Sequence, residues 1–278
     1  MRINHRVGLN SKKDTEFFSE VKKMGIEYET IDLPGGMSQI VYFDILESDP
    51  NWNTVSNLIK TKGASDRFET YFTDEEILNA EWVRLIPTYE HGYPQPKSTW
   101  IKNHETYDDF CSECGTYRQV NSFRIKDEPN LKRNDFMKLI WGSAVLCTPR
   151  VFQTYETHEM QGFEKWPIII HDRDTPSNKV AQLYISEIAN PGLVDSAELK
   201  PEVCPSCGIT KYYSHLQGVM KLQRSAIKPD FDFLQSFEWY GGGSALAYRE
   251  SLVSNRVARV VLEMGWKGLR FKVVELVE

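Results

Sequence analysis

The chain has 278 residues, 41% hydrophobic and 26% charged, the balance of a soluble globular protein with room for two domains of ordinary size. Its formal net charge of −6 argues against a general electrostatic grip on nucleic acid, which needs clustered positive charge. No apolar run approaches the ~20 residues that cross a bilayer, and "MRINHRVGLN" has no apolar signal core; the expected location is the cytoplasm, where thiols stay reduced.

The first ninety or so residues alternate strand and helix signals. "RINHRVGL" suits a strand, and "SKKDTEFFSEVKKMG" an amphipathic helix with Ser11 and Asp14 in capping-box spacing. Its apolar face is Phe17, Phe18, Val21 and Met24, and Gly25 ends it. "IEYETIDL" and "SQIVYFDIL" read as two strands joined through "PGGM". A second helix opens at Asp49-Pro50 and stops at Gly63, and "DRFETYFT" is the next strand. Thr73 and Glu76 are spaced to cap a short helix over "DEEILNAEW". The order βαββαβ predicts a ferredoxin-like domain over residues 1–92, and a linker is expected at "TYEHGYPQPKST".

The remainder, residues 93–278, is expected to be a β-rich α+β domain built on a zinc ribbon. Four of the five cysteines lie in two copies of one phrase, "CSECG" and "CPSCG", and each copy runs into strand-like sequence. Two C-x-x-C turns supply four thiolates, the complement of a tetrahedral Zn²⁺ site, so Cys111, Cys114, Cys204 and Cys207 are the expected metal ligands. The glycine after each pair permits a left-handed turn that aims backbone N–H groups at the sulfurs. Two separate dithiols, disulfides between the phrases and a redox pair are the competing readings. The last wants its first Cys at a helix N-terminus, and neither phrase opens a helix. Iron competes with zinc for four thiolates. A closed all-thiolate site has no position for water, so the expected role of the metal is structural. Cys147, in the apolar stretch "SAVLCTPRVF", reads as a buried free thiol.

"LCTPRVFQTYETHEMQGF" and "LVSNRVARVVLEMGWKGL" share a register that pairs Thr148 with Ser254, Arg150 with Arg256 and Gly162 with Gly268. If the echo is a repeat, each copy contributes a knuckle, a strand and a helix opened at Thr148 or Ser254, and the paired arginines hold a helix end or a carboxylate. Between the phrases, "KWPIIIHDRDTPSNKVAQLYISEI" is expected to be a hairpin turning at "DTPSN".

Sequence signals for catalysis are sparse. "HDRD", with His171, Asp172 and Asp174, invites an enzyme reading but sits beside a turn, where polar residues serve solubility. "YGGGSALAY" lacks the lysine of a phosphate loop and reads as a glycine-rich link between a strand and a helix. The mixed-charge stretch "FRIKDEPNLKRNDFMK" reads as a solvated loop and edge. Among the scattered histidines, His104 and His215 lie close enough in sequence to the knuckles to substitute as ligands.

On "CSECG", "CPSCG" and the terminal "LVSNRVARVVLEMGWKGLRFKVVEL", the segment from roughly residue 100 to the end resembles the bacterial double-CXXCG motif family. Some relatives in that family are immunity proteins that bind and silence a toxin delivered between neighbouring cells. The resemblance implies a non-enzymatic protein whose partner is another protein, a toxin among the candidates. The alternatives are a nucleic-acid-binding ribbon adaptor and an enzyme using Asp172 and Asp174.

Overall fold

In the first unit, alternate residues of β1 (Arg2–Asn10) face the core, and a turn over residues 11–14 leads into α1 (Thr15–Lys23). The remaining elements are β2 (Glu29–Asp32), β3 (Gln39–Leu46), α2 (Trp52–Lys62) and β4 (Ser65–Tyr71). Every strand pair is antiparallel, in the order β2-β3-β1-β4, with Val7 opposite Phe43. Phe17 and Val21 of α1 and Val55 of α2 pack against Val7, Val41 and Phe43 of the sheet. Burying side chains of this size contributes about 1.5–3 kcal/mol each.

The structure is a computed structural model that describes residues 1–36, 38–97, 105–140, 142–194, 196–243 and 246–278. The chain divides into two compact units, residues 1–73 with 216–218 and residues 74–215 with 219–278. Within the first unit, Thr70 Oγ1 donates to the Leu216 carbonyl at 3.2 Å and accepts from the Gly218 N–H at 2.9 Å.

The predicted caps settle differently. Asp14 is the N-cap of α1 without a side-chain capping bond, because its carboxylate accepts from Asn10 N at 2.7 Å and Ser11 Oγ accepts from Gln39 N at 3.1 Å. Both side chains are used to hold the turn out of β1. Similarly, Asp49 accepts from Asn51 N at 2.8 Å, and α2 begins two residues after Pro50, at Trp52.

The second unit starts with α3 (Asp74–Asn79), shorter than the predicted helix, and Trp82 instead opens β5 (Trp82–Pro87). Asn255 stops the helix: its Nδ2 donates to the carbonyls of Ile77, Leu78 and Ala80 at 3.2, 2.9 and 2.7 Å. The sequence boundary at 92 therefore differs from the structural division after Thr73, since β5 pairs with strands of the second unit.

After β5 come β6 (Tyr107–Asp108), β7 (Arg118–Gln119), β8 (Arg124–Ile125), β9 (Phe136–Met137), β10 (Val145–Cys147), α4 (Pro149–Thr157) and β11 (Phe163–Ile170). The next series is β12 (Thr175–Ile185), β13 (Glu202–Val203), β14 (Thr210–Tyr212), β15 (Met220–Gln223), β16 (Phe233–Gln235), β17 (Trp239–Tyr240), β18 (Ser251–Ser254), α5 (Asn255–Glu263) and β19 (Leu269–Val277). The hairpin β11–β12 turns at residues 171–174, earlier than predicted, with Thr175 already opposite Ile170.

Two five-stranded sheets share one plan. The first has the order β8-β11-β12-β10-β9 and the second β15-β19-β5-β18-β16. In each, the outer pair (β8–β11, β15–β19) is parallel and the other pairs are antiparallel. The central strand of each sheet is the one that leads towards the other sheet's knuckle: β5 precedes Cys111 but lies in the second sheet, and β12 precedes Cys204 but lies in the first. The two halves thus exchange their leading strands. The sequence echo is this repeat in structure: Asp135 accepts from Arg150 Nε at 2.6 Å, and Asp232 accepts from Arg256 Nη1 at 3.0 Å.

Candidate metal centre

Each cysteine phrase folds into the same turn. Gly115 N donates to Cys111 O at 2.8 Å and Cys111 N to Thr116 O at 2.9 Å; in the second copy Gly208 N donates to Cys204 O and Cys204 N to Ile209 O, both at 2.9 Å. Gly115 and Gly208 have φ of 75° and 73°, the left-handed conformation that glycine adopts without strain. Nothing lies within 4 Å of where a Cβ on Gly208 would be, so backbone conformation rather than space selects glycine there.

The turns face each other sulfur to sulfur. Cys111 Sγ lies 3.7 Å from Cys204 Sγ and Cys114 Sγ lies 3.5 Å from Cys207 Sγ, each pair 93 positions apart in the chain. All four sulfurs lie within 4.8 Å of one another. A tetrahedral site with metal–sulfur bonds of ~2.3 Å has sulfur–sulfur edges of ~3.8 Å, so the spacing fits one ion shared by the four. It is far longer than the ~2.05 Å of a disulfide, and all four thiols are free. The reading as two separate dithiols therefore fails, because the structure joins the phrases into one cluster. Among the described residues this is the one group suited to a metal, and no histidine belongs to it. His104 lies outside the described residues.

Neighbouring groups favour thiolate. The backbone N–H of Cys207, acting most strongly, and that of Ser206 face the Cys204 sulfur and, against burial, bring its pKa down to about 7; the Cys207 and Cys111 side chains add to the effect. Thr116 Oγ1 sits 3.2 Å from Cys114 Sγ. Lys211 is 3% exposed, and its Nζ donates to the Cys114 carbonyl at 2.7 Å and to the Gly243 carbonyl. The lysine is thus anchored to the backbone of the first knuckle and of the loop that seats on it. Lys211 and Thr116 escape the sequence reading: in the alternation of "ITKYY", a lysine looks like an ordinary solvent-facing strand residue.

No family model matches the chain, and no curated protein matches it.

The other candidates lie elsewhere. In the "HDRD" turn, Arg124 Nε donates to His171 Nδ1 at 3.1 Å and Arg124 Nη2 to Asp174 at 2.5 Å, so these groups brace the end of the β11–β12 hairpin. Asp174 is largely solvent-exposed. The glycine-rich stretch after β17 leads back to β18 rather than into a helix, with Tyr240 and Tyr248 bridged; Ser244 and Ala245 lie outside the described residues. Ala247 N donates to Gly115 O at 2.9 Å, which seats this loop on the first knuckle. His5 is buried in the first unit, its ring nitrogens 3.0 Å from Asp66 and Glu47 carboxylates. Cys147 is buried and its pKa is raised well above the ordinary value, by burial first and then by Asp135, as an inert core thiol requires.

No helix among the described residues is long and apolar enough to cross a membrane.

Proposed function

We propose that the chain is a non-enzymatic, protein-binding molecule whose second unit is stapled by one structural Zn²⁺ on Cys111, Cys114, Cys204 and Cys207. The observation that carries this reading is the sulfur cluster, with every pair of donors within 4.8 Å. Four thiolates complete a tetrahedron and leave no position for water or substrate, so the ion would supply folding energy and a fixed geometry rather than chemistry. The βαββαβ order and the strand order β2-β3-β1-β4 support a ferredoxin-like first unit. The paired knuckles, each entering a short strand, support a zinc ribbon in the second.

The partner on this reading is a protein toxin, and the chain its cytoplasmic immunity protein. The support is the resemblance to the double-CXXCG family, together with a net charge of −6 that suits a basic partner such as a nuclease. The test is co-expression with toxin candidates encoded beside its gene. Rescue of growth together with a co-purifying complex supports the reading, and the Asp172→Ala/Asp174→Ala variant should protect equally well. Failure to bind or protect against every such candidate counts against it.

A further inference from the structure

Gln182 and Arg84 hold equivalent places in the two sheets, Gln182 opposite Leu146 and Arg84 opposite Leu252. Around Arg84 the space is filled: its Nη1 pairs with Glu250 Oε1 at 3.0 Å and donates to the His215 carbonyl at 3.0 Å, and the side chain is 1% exposed. Around Gln182 the corresponding space is a cleft of about 280 Å³. One copy of a repeated feature is closed by an ion pair; the other is open.

The cleft has a definite chemistry. Gln182 is buried at its floor, locked to Gln119 by reciprocal amide bonds of 2.8 and 2.9 Å. Gln119 spends its other N–H on the Asn121 carbonyl at 3.0 Å, so one Gln182 N–H is left to a ligand among the described residues. Tyr117 and Trp239 meet edge to face at 5.6 Å on one wall, and Tyr184, stiffened by Trp166 stacked at 3.9 Å, stands on another.

Among the described residues no aspartate or glutamate lines the cleft, although the chain is acidic overall. Of its two arginines, Arg118 is ion-paired with Asp108 and Asp109 at 2.7 and 3.2 Å. Arg249 has no ion pair among the described residues. It lies over the Trp239 ring at 4.6 Å, and its Nη1 donates to the backbone carbonyls of Ser236 and Phe237. Burial lowers its pKa, with the Glu238 charge acting the other way. Such a guanidinium stays protonated, so it stands beside an aromatic wall as a positive charge with no direct ion pair among the described residues.

We propose that this cleft binds a small organic anion carrying a flat unsaturated ring. The ring lies along Trp239 and Tyr117, the anionic group pairs with Arg249, and the Gln182 amide donates to a ring nitrogen or oxygen where the ligand has one. Pockets for drug-sized ligands run from about 300 to 1,000 Å³, so a cleft of about 280 Å³ suits a small ligand. An aromatic carboxylic acid and a nucleoside monophosphate share this chemistry. The inference is independent of the metal and of the protein partner.

Calorimetric titration of the full chain with benzoate, adenosine 5′-monophosphate, cyclohexanecarboxylate and benzamide tests it. Benzoate or the nucleotide should saturate a single site, with cyclohexanecarboxylate and benzamide about tenfold weaker or worse. The tighter of the two binders identifies the source. Arg249→Gln and Ser251→Leu, which removes the charge and narrows the cleft respectively, should each weaken binding by about tenfold or more. Thermal melts establish that each variant folds; should Arg249→Gln fail, Ser251→Leu decides. Absence of saturation at millimolar concentration by both ring anions, equal binding of cyclohexanecarboxylate, or unchanged binding in the folded variants overturns the proposal.

Discussion

Gly268 lies so close to Phe136 that a Cβ on it would sit 2.0 Å from the Phe136 carbonyl oxygen, and Gly162 lies in the same way over Phe233, at 2.2 Å. Their φ values, 94° and 99°, match as well. Each glycine belongs to the segment entering the second strand of one sheet, β11 or β19, and packs on an edge strand of the other, β16 or β9: Asp135 N and Phe136 N both donate to Lys267 O, and Asp232 N and Phe233 N both donate to Gln161 O. Backbone carbonyls cannot yield as flexible side chains do. Gly162→Ala and Gly268→Ala should each destabilise the second unit by about 3 kcal/mol or more, whereas Gly208→Ala, with open space and only an adverse φ, should cost about 1–2 kcal/mol in the metal-loaded protein. Denaturant melts of the three variants check the ranking.

The carboxylates beneath these glycines supply a second test. Asp232 is buried and accepts from Arg256, from Ser254 Oγ at 2.7 Å and from Gln161 N at 3.1 Å. Asp135 accepts from Arg150 and from Lys267 N at 3.2 Å. Replacing either aspartate by Ala strands several donors at once and should cost about 3 kcal/mol, while Arg150→Ala and Arg256→Ala, whose side chains are mostly exposed, should cost less. Equal losses for aspartate and arginine variants would contradict this assignment.

Acid should weaken the fold through His215. Burial, then the Arg84 charge and, less strongly, that of Lys272 take its pKa from 6.5 to about 4, and its buried Nδ1 has no hydrogen-bond partner among the described residues. Between those values the unfolded chain holds a proton that the folded chain does not. Its contribution is present in full above pH 6.5 and is lost as the pH falls towards about 4. His215→Gln should flatten this part of the stability profile measured by urea unfolding. An unchanged slope in the variant would place the dependence elsewhere.

Thr116 and Lys211 should tune the metal centre without being ligands. Thr116→Val removes a hydroxyl beside Cys114 Sγ, and Lys211→Met removes the buried ammonium held by the Cys114 carbonyl. Loss of such supporting groups lowers metal affinity by about 10–100-fold. Competition with a chromogenic chelator reads the change directly; Cys147→Ala, remote from the cluster, should leave affinity unaltered.

The sequence was most legible where chemistry is local. Two cysteine phrases announced their own turns, and the pairing of Arg150 with Arg256 and of Gly162 with Gly268 anticipated a repeat whose common sheet plan then emerged. Features with distant causes were hidden. Of β5, only Trp82 carries a sequence assignment, as the end of a helix, because Arg84 interrupts the apolar run and the strand's sheet partners lie beyond residue 250. The end of α3 is set by Asn255, far along the chain, and Ser11 and Asp14 form no capping box because β3 and the end of β1 claim their side chains. Lys211 looked solvated because nothing nearby in sequence reveals the two carbonyls that surround its ammonium. The cleft beside Gln182 draws on strands from both knuckle halves, so no single stretch of chain displays it.

Elemental analysis of the chain purified under reducing conditions, paired with thiol titration before and after chelation, bears most directly on the shared four-sulfur centre. The account predicts one zinc per chain, four thiols that react only once the metal is removed, and melting of the second unit on removal, with Cys204→Ser losing the metal from the outset. A fully folded, metal-free protein whose four knuckle thiols react freely would contradict it.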